Sequence, residues 1–190
     1  LHYTPDAGDV DKWTMSMWIK RGIITSSNTV RIFSAVSGGD NTAVRFNADS
    51  DCLRFEEYQS SAVGYLVTNR DFRDPSAWYH LVFVWDSDNA TAGNRMRIYV
   101  NGTEETSFST DTQPSQDQDS LLNSNLRIDI GSQGSNYFDG YFAEVIFCDG
   151  QAYAASDFGE FNSDSPTIWQ PTDPSGLTFG DNGFWLDFED

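Results

Sequence analysis

Lysine is almost missing from this 190-residue chain: Lys12 and Lys20 are its only two, and every other positive charge is an arginine. Eleven bases stand against 29 acids, giving a formal net charge of −18. A field of that sign repels phosphate backbones and anionic head groups, which excludes nucleic acids and membrane surfaces as partners. Nowhere do the ~18 consecutive apolar residues of a membrane-crossing helix occur. Histidine appears twice, as His2 and His80, too sparse for a metal cluster or a proton relay. Cysteine also appears twice, as Cys52 and Cys148, without the spacing of a metal site. Two buried thiols is one reading of them and a single disulfide the other. The chain opens on Leu1 with neither initiator methionine nor signal-peptide pattern, as expected of a processed piece of a longer polypeptide.

Aromatic residues are abundant at 15%, and Val, Ile and Thr are frequent, a composition that favours strands. The length fits one domain, residues 1–190, large enough to bury roughly 70% of its unfolded surface without a staple. Apolar residues recur with period two almost throughout. In "WTMSMWIKR", Trp13, Met15, Met17 and Ile19 fall on one face, and Thr14, Ser16, Trp18 and Lys20 on the other. "TVRIFSAV", "CLRFEEY" and "VGYLVTN" follow, bounded by turn residues. "WYHLVFVWD" is apolar on both faces, which places it in the middle of a layered structure. "RMRIYVNGTEETSF" carries Asn101-Gly102 between two strands, the pair that suits a type I′ hairpin. The polar stretch 110–125 reads as a long loop. "AASDFGEF" predicts one short helical turn near 156–162, with Ser156 as N-cap and Asp157 in its first turn. "GFWLDF" reads as the last strand. About ten to twelve short strands separated by turns make an all-β, two-sheet antiparallel sandwich.

The order of these segments is more specific than any one of them. "WTMSMWIKRG", "WYHLVFVWD", "RIYVNGTEE" and "FDGYFAEVIFCDGQAYAASDFGEF", in succession, resemble the laminin-G-like domain of the concanavalin A-like lectin/glucanase superfamily. The ending "TIWQP…GFWLDF" is similar to versions found in tailed-bacteriophage virion proteins. The resemblance implies a jelly roll whose curved face and rim loops bind glycans or proteins, in several subfamilies through calcium. It also implies a place on a virion, with host-surface glycan or neighbouring virion proteins as partners. On a fibre, a homotrimer would be expected. Fold alone does not fix function, so the site has to come from residues.

Glu144 is the one acid inside the strand "YFAEVIF". A retaining glycosidase needs two carboxyl groups about 5–5.5 Å apart. The resemblance implies that a glucanase would carry them in a Glu-x-Asp-x-x-Glu strand. Here the same-face neighbours of Glu144 are Phe142, Ile146 and Cys148. Glu56/Glu57 and Glu104/Glu105 are adjacent and point to opposite faces, while Asp187 and Glu189 share a face at the chain end. The expectation is therefore no catalytic residue, with Glu144 architectural and His80 structural.

Glycan binding needs exposed rings. Tyr137 and Phe138, beside Asn136 in a Gly- and Asn-rich loop, are the first candidates, followed by Tyr58 and Tyr65. Calcium is the candidate cofactor, because loop carboxylates and carbonyls are its usual ligands. Asp86, Asp88 and Asn89 in "WDSDNAT", Asp40 in "SGGDN", and Asp139 in "NYFDG" are the candidate ligands. The sequons Asn89-Ala90-Thr91 and Asn101-Gly102-Thr103 match the N-glycosylation pattern, the second being accounted for by its turn. The chain thus reads as a non-catalytic, lectin-like virion module on a tail fibre, appendage or capsid decoration. A purely structural decoration is the alternative, and a glycoside hydrolase the third reading.

Overall fold

The computed structural model describes residues 1–22, 24, 30–47, 50–134 and 136–189. Thr29 of the expected strand "TVRIFSAV" and Ser135 of the Gly- and Asn-rich loop lie outside the described residues. In chain order the strands are β1 (His2–Tyr3), β2 (Lys12–Arg21), β3 (Val30–Ser37), β4 (Asp40–Phe46), β5 (Cys52–Tyr58) and β6 (Ala62–Asp71). There follow β7 (Tyr79–Asp86), β8 (Met96–Val100), β9 (Thr103–Glu104), β10 (Phe108–Thr112), β11 (Ile128–Ile130), β12 (Ser132–Gln133) and β13 (Asn136–Tyr137). The last four are β14 (Gly140–Asp149), β15 (Gly159–Phe161), β16 (Trp169–Pro171) and β17 (Phe184–Leu186). More strands form than the sequence pattern resolves, because several are two residues long, too short to show a period.

Seven strands make one sheet in the order β1-β11-β3-β4-β5-β6-β10, and six make the other in the order β17-β14-β2-β7-β8-β9. All pairings are antiparallel. This is the expected all-β sandwich. Trp13, Met15, Met17 and Ile19 of β2 are fully buried, facing Phe33, Val44, Phe46, Leu53 and Phe55 of the seven-stranded sheet. Rings meet there edge-on, as for Phe33 and Phe83 with centroids 5.5 Å apart. Each such side chain contributes about 1.5–3 kcal/mol on leaving water.

The double-faced apolarity of β7 has its explanation in a third layer. Leu81, Phe83 and Trp85 face the inter-sheet core, whereas Val82 and Val84 pack outward with Ile146, Cys148, Ala155 and Phe158. The segment 151–179 folds back over that outer face and covers it. Asn101 (φ +49) and Gly102 (φ +81) are both left-handed, the type I′ geometry read from the sequence.

The helical turn is shorter than expected. It is a single 3-10 turn at Ala155–Asp157, capped at Ala154, with the Asp157 carboxylate accepting from the Ala154 N–H. Ser156 lies inside the turn rather than capping it, and the turn stops short because the chain from Gly159 pairs with β16 as β15. Two further 3-10 turns, Ala92–Asn94 and Pro174–Gly176, carried no apolar period to announce them. Cys52 and Cys148 are both buried and free, so the two-thiol reading holds. Of the long polar stretch, 110–112 join β10 and the remainder is loop. Among the described residues no helix is long and apolar enough to cross a membrane.

Candidate functional site

Strand β5 sets up the site through its alternation. Leu53, Phe55 and Glu57 point into the sandwich, and Arg54, Glu56 and Tyr58 point to the outer face of the seven-stranded sheet. Glu57 is buried at the end of the core. Its carboxylate accepts from Thr42, Ser120 and Gln59 side chains and from the Leu121 N–H, which ties the long polar loop down. Burial pushes it up to about 7 against those bonds. Glu56 faces the other way, as the opposite-face reading required.

Three arginines surround Glu56. Register pairs Arg31 with Arg45 and Arg45 with Arg54, so the three stand in one row across β3, β4 and β5. Arg31 Nη1 lies 3.2 Å and Arg45 Nη1 3.5 Å from Glu56 Oε1, and Arg54 pairs with Oε2. The Arg54 guanidinium also sits 4.0 Å above the Tyr65 ring, a cation–π stack. Sequence reading passed these arginines over. Their signal was present: Val30-Arg31-Ile32, Val44-Arg45-Phe46 and Leu53-Arg54-Phe55 repeat one apolar-Arg-apolar pattern in consecutive strands.

The aromatic candidates separate. Tyr137 is 70% exposed and Tyr58 is 38% exposed. Tyr137 and the exposed Asn136 form β13, which pairs with β12 as a small hairpin. That hairpin leans on β3, where the outward-facing Ser34 hydroxyl donates to the Ser132 carbonyl at 3.3 Å. It thus stands at the β3 side of the same outer face that carries the arginine row, Tyr58 and Tyr65. Tyr65 is half-buried beneath Arg54. Phe138 departs from expectation. Its ring is half-buried, 4.7 Å from that of Phe142 and packed against the core, and its remaining surface lines an apolar groove with Leu1, Tyr141 and Phe188.

The calcium candidates are dispersed. Asp86 and Asp88 both contact the Lys12 ammonium, at 3.5 and 2.9 Å, and the Asn89 amide donates to Asp86. Lys12 thereby supplies the positive charge that loop would otherwise draw from a cation. Asp40 accepts from the Ser60 N–H, and Asp139 lies beside Gly22, whose N–H its carbonyl accepts. Among the described residues no three His, Cys, Asp or Glu side chains form a metal-sized group.

The catalytic candidates are engaged elsewhere. Glu144 occupies a bulge where the register of β14 against β2 shifts, with φ at +47°, and its Oε2 accepts from the Trp185 indole at 2.7 Å. Asp187 and Glu189 do not share a strand face. The strand ends at Leu186, Phe188 turns left-handed, and the Glu189 N–H folds back to Asp187. His80 is sealed under the third layer. The Trp169 indole can only donate and is 2.9 Å from Nδ1, so the ring proton sits on Nε2 and is given to Ser16 Oγ at 2.9 Å. Burial drives the imidazole down to about 3, and it stays neutral. The cap over Cys148 pushes that thiol up to about 12, removing it as a nucleophile.

A family model, the laminin G 3 type described as "Concanavalin A-like lectin/glucanases superfamily", matches residues 3–155, and the chain belongs to that family. Among solved structures, the fold is similar to a Bacteroides ovatus protein described as a "putative carbohydrate binding protein". The TM-score is 0.58 and the identity 16%, over 98% of this chain and 48% of that one. Mouse laminin α1 domains LG4-5 match with a TM-score of 0.49 and 12% identity, over 81% of this chain and 42% of theirs. The binding domain of Paraclostridial Mosquitocidal Protein 1 gives 0.43 and 10%, over 80% and 37%. The chain spans about half or less of each of these neighbours. No curated protein matches it in sequence.

Proposed function

We propose that the chain is a non-catalytic, lectin-like module that binds host-surface glycan. Its binding surface is the outer face of the seven-stranded sheet and the hairpin that borders it. The observation that carries this reading is the placement of Tyr137. A phenol 70% exposed on a short paired hairpin, beside a face that also exposes Tyr58, is arranged as a stacking surface for sugar rings. The Bacteroides ovatus neighbour's description supports the ligand class. The similarity of the chain's ending to phage virion proteins supports a setting on a tail fibre, appendage or capsid decoration. There, the polypeptide is expected to copurify with particles through a density gradient. On a glycan array the chain is expected to bind a defined set of glycans, to lose them on Tyr137→Ala, and to release no reducing ends from them. A blank array would overturn the reading.

One observation favours the purely structural alternative. An apolar groove of about 390 Å³ opens between Leu1, Ile130, Phe138, Tyr141, Phe142 and Phe188, with Tyr141 63% exposed. A neighbouring virion protein would cover it. Attachment of the isolated chain to particles that lack it, undiminished by Tyr137→Ala and lost on Tyr141→Asp, would decide for that role.

A further inference from the structure

The outer face of the seven-stranded sheet is charged against the sign of the whole molecule. Three arginines and one glutamate leave two positive charges there, in a chain whose net charge is −18. Like charges directly opposite one another across strands are destabilising, yet here the same sign is repeated over two successive strand pairs. Three guanidiniums hold fifteen N–H donors between them, whereas one carboxylate presents about four acceptor sites. Among the described residues, Glu56 is the only side chain within ion-pair reach of any of the three. The Nε atoms of Arg31, Arg45 and Arg54 are all buried, with no hydrogen-bond partner among the described residues. Burial, and then the charge of Arg45, lowers the Arg31 guanidinium below its ordinary range; Arg54 is lowered by burial first. Cations held with too few acceptors are short of an anion.

We infer that the row Arg31–Arg45–Arg54 receives the single acidic group, a carboxylate or a sulfate, of an otherwise neutral glycan. This rests on the glycan-binding reading and names its substrate class. The planar, forked donors of arginine match both oxyanions in paired hydrogen bonds. The stack of Arg54 on Tyr65 holds one fork in place. The surrounding charge selects for a lone acid. A polyanion would bring its further charges to a molecule of net charge −18, where those beyond the row are repelled within the ~8 Å screening range. One acidic residue among neutral sugars meets the row and nothing else. The Tyr137 hairpin on the β3 side is placed to stack on the neutral neighbour in the same chain.

The test is a titration of the wild-type chain followed through its arginine side-chain Nε–H signals. The probes are glucose, glucuronate, a sulfate monoester of glucose, and glutamate, at matched ionic strength. Glucuronate or the sulfate ester is expected to shift the signals of Arg31, Arg45 and Arg54 together, and glucose is not. Whichever acidic sugar binds more tightly identifies the source of the oxyanion. Arg45→Gln is expected to weaken that binding by about tenfold, the loss of one charge-assisted contact. It should leave Tm unchanged or raised, since it relieves the repulsion in the row. If neither acid moves the three signals, the row is a salt-bridge network only and the inference is overturned. An array that shows glycans bound without preference for acidic ones, and unaffected by Arg45→Gln, overturns it too while leaving the lectin reading intact. Equal shifts from glutamate and glucuronate would reassign the row to peptide carboxylates and end the glycan assignment. A blank array together with selective glucuronate shifts would defeat the Tyr137 surface and leave the arginine row standing.

Discussion

At His80 a buried imidazole satisfies both of its nitrogens, one from Trp169 and one with Ser16, and so holds the third layer onto the six-stranded sheet. That arrangement has a pH consequence. In the unfolded chain the ring takes a proton near its ordinary value of 6.5, whereas in the fold it resists protonation down to about 3. Between those values only the unfolded state binds the proton, so the stability His80 contributes is present above pH 6.5 and drains away as pH falls towards 3. Thermal melts are expected to show His80→Phe less stable than wild type at pH 7 by about 1–3 kcal/mol, because Trp169 and Ser16 lose their partner. The gap should narrow as the buffer is acidified. A gap that stays constant over that range would mean the imidazole protonates freely in the fold. Glu144 makes the complementary point: its left-handed bulge, unusual for a side chain other than glycine, turns the carboxylate to the Trp185 indole and away from any second acid.

The β8–β9 hairpin shows how an element couples layers. Asn101 accepts from the His80 N–H through its side chain and donates to the His80 carbonyl through its own N–H. Gly102 is needed twice over. Its φ of +81° suits glycine, and a Cβ there would come within 2.4 Å of the Trp169 ring. Gly102→Ala is therefore expected to lift Trp169 off His80 and to destabilise the chain by more than ~1 kcal/mol, the usual cost of a left-handed alanine alone. Indole fluorescence and a chemical melt would report both. An unchanged Trp169 environment would show that the hairpin and the third layer are independent. The hairpin itself was legible, because Asn-Gly between alternating strands encodes local dihedral preferences. Its contact with Trp169, 67 positions further along the chain, was not.

Across the whole molecule, 29 acids on a 190-residue sandwich repel one another more strongly in the compact state than in the unfolded chain. Simple monovalent salt is expected to raise Tm steadily as the Debye length falls from ~30 Å at 0.01 M to ~8 Å at 0.15 M. A Tm insensitive to salt would mean that the internal pairings, such as Lys12 with Asp86 and Asp88 or Arg70 with Glu105, already neutralise the acids that matter. The N- and C-terminal segments are held in the same polar economy, with Asn182 bonded to Asn123 and both to Asp149, which also accepts from the Asp9 N–H.

Period-two alternation was enough to establish the sandwich, the inward residues of β2 and the central position of β7, since each strand reveals its own faces without reference to any other. The same local information placed Glu56 and Glu57 on opposite faces, but it failed at Glu144, where the bulge breaks the alternation and sends Phe142 to the inter-sheet core and Ile146 and Cys148 to the outer layer. What alternation cannot carry is register, the alignment of one strand against the next. Only the tertiary pairing of β3, β4 and β5 brought Arg31, Arg45 and Arg54 into one row around Glu56. Only the packing of Phe138 against Phe142 of β14 half-buried its ring while leaving Tyr137 exposed. Faces are written residue by residue along a strand. Neighbours across a sheet are decided when distant strands meet, and the candidate site is made of neighbours.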